Sequence, residues 1–207
     1  MWLERERWLV RYPMTRGEGS LLVATQNGVL VTGLYVAPSR EPAPTWWAQR
    51  CACAWTVAWL TVRGEDWRGP REVLADCGMH AELEWLEHTT WRRGDGLRAV
   101  THRPDLAVLS EHGLVVVAVD LQSKMTKRRV AVLHNYRRWF AQERIAGVLY
   151  VCGTETGAER VKDAATEAGF PRKRLRIELL STIRAAAEAS AIKQLQLPGV
   201  RWQASAA

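Results

Sequence analysis

Two short stretches carry the residue types that chemistry needs. His102-Arg103-Pro104-Asp105 leads into one apolar segment, and fifteen residues beyond Asp105 a second segment ends in Asp120-Leu121-Gln122-Ser123-Lys124. In a strand, alternate residues share a face, so Asp120, Gln122 and Lys124 are expected to point the same way. A hairpin between the two segments would bring Asp105 beside them. Two carboxylates, an amide oxygen and an ammonium at one sheet edge suit a divalent metal and a phosphodiester. Hydrolysing such an ester requires that phosphate charge be offset, that a water be positioned and deprotonated, and that the leaving oxygen be stabilised. Mg or Mn held by hard oxygen ligands supplies much of this. Asp105 and Asp120 are the expected metal ligands. Gln122 offers a neutral carbonyl oxygen, and Lys124 orients water or offsets phosphate charge. Glu72, on a short helix upstream, is a further carboxylate. A plainer reading competes: Asp and Lys at strand ends are commonly solvated, and Pro-Asp commonly begins a turn.

The elements that must position these residues follow from pattern. Residues 1–37 are β-rich, with Ser20 to Ala24 and Val29 to Val36 flanking Gln26-Asn27-Gly28, a hairpin signal. Pro38, Pro42 and Pro44 then mark a connector, because proline fits neither helix interior nor central strand. The chain therefore divides into an N-terminal β-hairpin appendage with its Pro-rich connector (1–45) and a main domain (46–207). Trp46 to Val62 has apolar residues at helical spacing and stops at Gly64. Gly69-Pro70 opens a short helix reaching Cys77. Residues 80–101 are mixed, with a turn at 92–96. Asp105 to Leu109 and Leu114 to Leu121 form two strands around a Ser110-Glu111-His112-Gly113 loop. A helix over 127–143, a strand over 147–152, a helix over 158–168, a strand over 175–180 and an alanine-rich helix over 181–194 complete the order. A hairpin followed by strand–helix–strand calls for an α/β fold with a mixed central sheet flanked by helices.

Composition sets the outer bounds. The 207 residues are 47% hydrophobic and 25% charged, ordinary values for a globular chain. Formal charge is +7 and the pI about 9.6, which favours polyanionic partners. The helix after the candidate site is basic, and Lys127, Arg128, Arg129, Arg137 and Arg138 are expected to contact nucleic-acid phosphates. No apolar run reaches the roughly 18 residues of a membrane span, and the N-terminus lacks a signal-type apolar core. The four cysteines show no C-x-x-C pair, so buried free thiols in a cytoplasmic protein are expected. The five histidines show no zinc spacing, and no P-loop or G-x-G-x-x-G is present. Eleven tryptophans point to extensive packing or to a binding surface in the N-terminal half.

Pro104-Asp105, Asp120-x-Gln122-x-Lys124, the basic helix with Tyr136, and Gly147-Val148-Leu149-Tyr150-Val151 together resemble the PD-(D/E)XK nuclease superfamily. More narrowly, they are similar to the nuclease-like domain of actinobacterial plasmid replication-relaxation proteins. The resemblance covers roughly residues 50–180. It implies a restriction-endonuclease-like core of helix–strand–strand–strand–helix–strand, a Mg- or Mn-dependent deoxyribonuclease, and a role in DNA processing for a plasmid, phage or other mobile element. One position departs from the pattern: Gln122 stands where an acid usually precedes the lysine, a version that resembles the Mrr-like restriction branch. Two other functions fit the same sequence. One is a DNA-binding protein of the same fold without catalysis. The other is an interaction module whose tryptophan-rich half binds a protein partner or a second copy in a homodimer.

Overall fold

A computed structural model describes residues 5–6, 9–13, 20–24, 47–70, 73, 89–93, 96–121 and 126–195. Its centre is a five-stranded mixed sheet in the order β3-β6-β7-β8-β9, built from Asp66–Arg68 (β3), Leu106–Ser110 (β6), Gly113–Asp120 (β7), Gly147–Cys152 (β8) and Leu175–Leu179 (β9). β3 with β6 and β6 with β7 pair antiparallel, whereas β7 with β8 and β8 with β9 pair parallel. Parallel strands need a crossover, and two helices supply it: Thr126–Ala141 (α2) and Glu155–Glu167 (α3). The α/β class and the mixed sheet flanked by helices agree with the sequence expectation.

Both faces of the sheet are covered. Val116 and Ala118 pack with Val132, Leu133 and Tyr136 of α2 and Val161 of α3. Val117 and Val119 pack on the other face with Trp59 and Leu60 of Trp47–Val62 (α1) and Ile183 of Leu180–Leu195 (α4). A strand covered on both sides has no polar face, which is why Val115 to Val119 and Val148 to Val151 read as continuous apolar runs. All six residues of β8 are buried.

Local chemistry fixes the boundaries. Gly64 takes φ of 72° just beyond α1, and Gly169 takes φ of 63° just beyond α3, a left-handed conformation in which glycine carries no Cβ penalty. The Thr154 hydroxyl caps α3 by accepting the Gly157 N–H at 3.1 Å. The β6–β7 turn closes at Gly113 (φ 109°), and the Ser110 hydroxyl donates to its carbonyl at 2.7 Å. The Val73 N–H donates to the Gly69 carbonyl, and the rest of the short helix expected up to Cys77 lies outside the described residues.

Two smaller sheets accompany the core. Leu9–Pro13 (β1) pairs antiparallel with Ser20–Ala24 (β2), so the described partner of the 20–24 strand precedes it in sequence. The expected hairpin through Asn27-Gly28 and the Pro-rich connector lie outside the described residues. Thr89–Arg93 (β4) and Gly96–His102 (β5) form a second antiparallel ribbon, while 80–88 lie outside the described residues. Among the described residues, no helix is long and apolar enough to cross a membrane.

Candidate functional site

Asp105 and Asp120 come to the same end of the sheet. β6 and β7 pair Leu106 with Val117, and the Asp105 N–H, just before β6 and outside its regular register, also donates to the Val117 carbonyl at 2.9 Å. Asp105 therefore lies against the last residues of β7, which ends at Asp120. The ladder stops there because Pro104 has no N–H to donate. In place of a further backbone partner, the Asp105 carboxylate accepts the Val119 N–H through Oδ2 at 2.8 Å.

A glutamine completes that arrangement. Gln49 Nε2, in the first turn of α1, donates to Asp105 Oδ1 at 3.0 Å and to the Val119 carbonyl at 2.9 Å. One amide thus ties a helix to both strands. Gln49 was not among the expected site residues, yet it had a signal: it shares the stripe 49, 53, 56, 60 of α1, whose other members Cys53, Thr56 and Leu60 are buried. A polar residue on an apolar stripe needs a partner inside.

Asp120 has a stronger partner. Alternation along β7 turns it towards α2, as with Val116 and Ala118. Arg129, one turn into α2, reaches back towards the helix N-terminus, as helical side chains do. Its Nε lies 2.9 Å from Asp120 Oδ2, with the two side chains 2% and 1% exposed. A charge buried to this degree is retained only when paired. Tyr150 lies against the pair from β8. Burial pushes its phenol well above the ordinary range, with the Asp120 carboxylate adding to the shift. Tyr136 on α2 is likewise raised by burial, then by Tyr150 and Asp105. On the α1 side, burial pushes the Cys53 thiol up to about 12, with Asp105 contributing.

The expected nucleic-acid contacts separate into distinct environments. Lys127 and Arg138 are exposed, and His134 lies between them on one line of α2 at spacings of seven and four residues. Arg128 is partly buried. Arg137 donates to the Ala168 carbonyl at 3.0 Å and so ties α2 to the end of α3. Arg129 is inside, on Asp120, rather than on the surface. Glu72, Gln122 and Lys124 lie outside the described residues.

A Mg or Mn site needs several hard oxygen ligands with free lone pairs. Both Asp105 oxygens accept N–H donors, and Asp120 is paired with a guanidinium. Among the described residues, no three histidine, cysteine or acidic side chains gather where they could hold a metal ion. Among the described residues, then, no divalent-cation site is assembled at this sheet end, and the other expected groups, Glu72, Gln122 and Lys124, lie outside them. What the described residues define is an α/β protein whose central sheet ends in an internally hydrogen-bonded polar cluster beside a basic helix. No protein-family model matches the chain, and no curated protein or solved structure matches it significantly.

Proposed function

We propose that this chain is a DNA-binding protein on a restriction-endonuclease-like core, with α2 facing the sugar-phosphate backbone. The observation that carries the reading is the polar sheet end itself. Asp105 and Asp120 stand on adjoining strands where α2 begins, but donors of the same chain engage both carboxylates. The order α1, β3, β6, β7, α2, β8 supports the core assignment, with the β4–β5 ribbon inserted before β6. The exposed line Lys127–His134–Arg138 and the charge of +7 support a polyanionic partner. The resemblance to replication-relaxation proteins adds a setting, DNA processing for a mobile element.

Binding of this kind is dominated by counterion release, so affinity falls steeply with salt. Fluorescence anisotropy with a labelled duplex across a salt series is the test. Lys127→Glu with Arg138→Glu should weaken binding of every sequence similarly and reduce the salt slope by about two contacts. Failure of the native chain to bind duplex DNA even at low salt removes the reading.

Metal-dependent cleavage is the second reading, favoured by the register that brings the two acids to one sheet end. Supercoiled plasmid incubated with Mg or Mn decides between them. The first reading expects the plasmid to stay intact. Nicking that Asp105→Asn and Asp120→Ala both abolish would instead make the chain a deoxyribonuclease.

A further inference from the structure

The opposite end of the sheet carries a cleft that the polar cluster does not use. It opens where β7 and β8 begin, since Val115 pairs with Gly147 there while Asp120 pairs with Cys152 at the far end. Its volume is about 260 Å³, and its floor is apolar: Trp59, Leu60, Val108, Val115 and Leu149. Three cations stand on its rim, Lys173, Arg174 and Arg176, against one carboxylate, Glu65. The rim cations come from one short segment. Arg172–Arg174 forms a single 3-10 turn, and β9 follows directly. Close approach holds that turn over the mouth: a Cβ on Gly147 would lie 2.9 Å from the Arg174 carbonyl oxygen.

The rim cations are unequally engaged. Arg176 lies over the Trp59 ring at 5.2 Å and pairs with Glu178 at 2.8 Å. Arg174 lies over Phe140 at 5.6 Å, on the α2 side of the sheet, so its guanidinium is directed away from the Trp59 side. Lys173 is exposed and makes no ion pair among the described residues. Consecutive like charges repel, so an anion at the mouth relieves the rim while an apolar body covers the floor. A concave apolar surface with a few convergent polar groups is the general form of a small-molecule site, and this volume lies just below the usual range of about 300–1,000 Å³.

We propose that this cleft binds a small amphipathic anion, a phosphate or carboxylate on a flat apolar body. Lys173 and Arg176 meet the charge, and Val108, Val115 and Leu149 meet the body. The site is separate from the DNA-binding reading and does not depend on it.

The test is a titration of the whole chain followed by amide NMR and by calorimetry. The probes are adenosine 5′-monophosphate, benzoate and uncharged adenosine. At least one anion should shift the amides of 146–149 and 173–176 saturably at one site, and adenosine should bind at least about tenfold more weakly. Lys173→Glu with Arg176→Glu should weaken anion binding by at least about tenfold, as expected for losing charge-assisted hydrogen bonds. Lys173 is exposed and makes no ion pair among the described residues, so Lys173→Glu alone should weaken binding without moving the melting curve. Binding of the phosphate alone or of the carboxylate alone names the headgroup. The proposal is overturned if neither anion shifts those amides up to about 10 mM. It is equally overturned if the double variant binds as the native chain does, or if the shifts map to Asp105 and Asp120.

Discussion

Asp120 and Arg129 are the residues whose roles depend most on each other. With both side chains out of solvent, neither has water to fall back on once the other is removed. Breaking a buried pair from one side typically costs about 3–5 kcal/mol, whereas replacing both partners with apolar residues of similar volume is often neutral or stabilising. Arg129→Ala should therefore lose stability on that scale in urea unfolding, and Asp120→Leu with Arg129→Met should recover most of it. A single variant within about 0.5 kcal/mol of the native chain would mean that the pair adds nothing to the fold. The double variant also separates structure from function. If Arg129 only neutralises Asp120, duplex DNA affinity survives the exchange. The sequence marked Asp120 as a site and Arg129 as a surface cation because both sit among other charged residues. Position on the helix tells more: 129, 132, 133, 136 and 139 are all buried along α2, so Arg129 heads an apolar stripe. Gln49 heads the corresponding stripe on α1, and the same reasoning would have found it.

At the level of elements, legibility followed length and periodicity. β6 to β9 and α1 to α4 were readable, with ends shifted by at most three residues, because each either alternates, repeats at helical spacing or runs apolar between glycines. β3 was not readable. Its three residues Asp66-Trp67-Arg68 are too few to show a period, and Asp66 and Arg68 pair with each other on the strand. Only the antiparallel partner Ala107 to Leu109 makes it a strand. The β4–β5 ribbon was hidden for a related reason, since its polar sequence pairs locally, with a register shift between Arg92 and Arg93. Long-range approach is equally silent in sequence. Gly147 looks like an ordinary strand start, yet the Arg172–Arg174 turn crosses so near that a methyl group would meet backbone at 2.9 Å. Backbone cannot rotate away as a side-chain tip can. Gly147→Ala should cost about 1–3 kcal/mol by overpacking. Gly153→Ala, whose nearest contact is the Leu121 side chain at 3.4 Å, serves as the control and should cost clearly less. Equal unfolding midpoints for the two would contradict the assigned closeness of that turn.

Across the whole molecule, one property follows from burying acids in an otherwise apolar sheet sandwich. Cys53, Tyr136 and Tyr150 are all held in their neutral forms, the first in the α1 layer and the other two between β8 and α2. For each of them burial is the largest cause, and nearby carboxylates add to it. In the unfolded chain the thiol gives up its proton near 9.0, while in the folded chain it holds it up to about 12. Between those values the unfolded state binds fewer protons, so stability must fall as pH rises. Below 9.0 both states are protonated and the contribution is complete and constant. The tyrosines act in the same direction, but mainly above their ordinary value of 10.0. Of these three groups, the thiol therefore contributes the larger part of the decline between about pH 9 and 10. Calorimetric melting should show a temperature that begins to fall above about pH 9 and falls faster above about pH 10. Cys53→Ala should remove most of the first decline and leave the second. Its own packing loss lowers the curve at every pH, so the shape and not the height is the readout. An unchanged slope between about pH 9 and 10 in that variant would show that the proton released there comes from some other group.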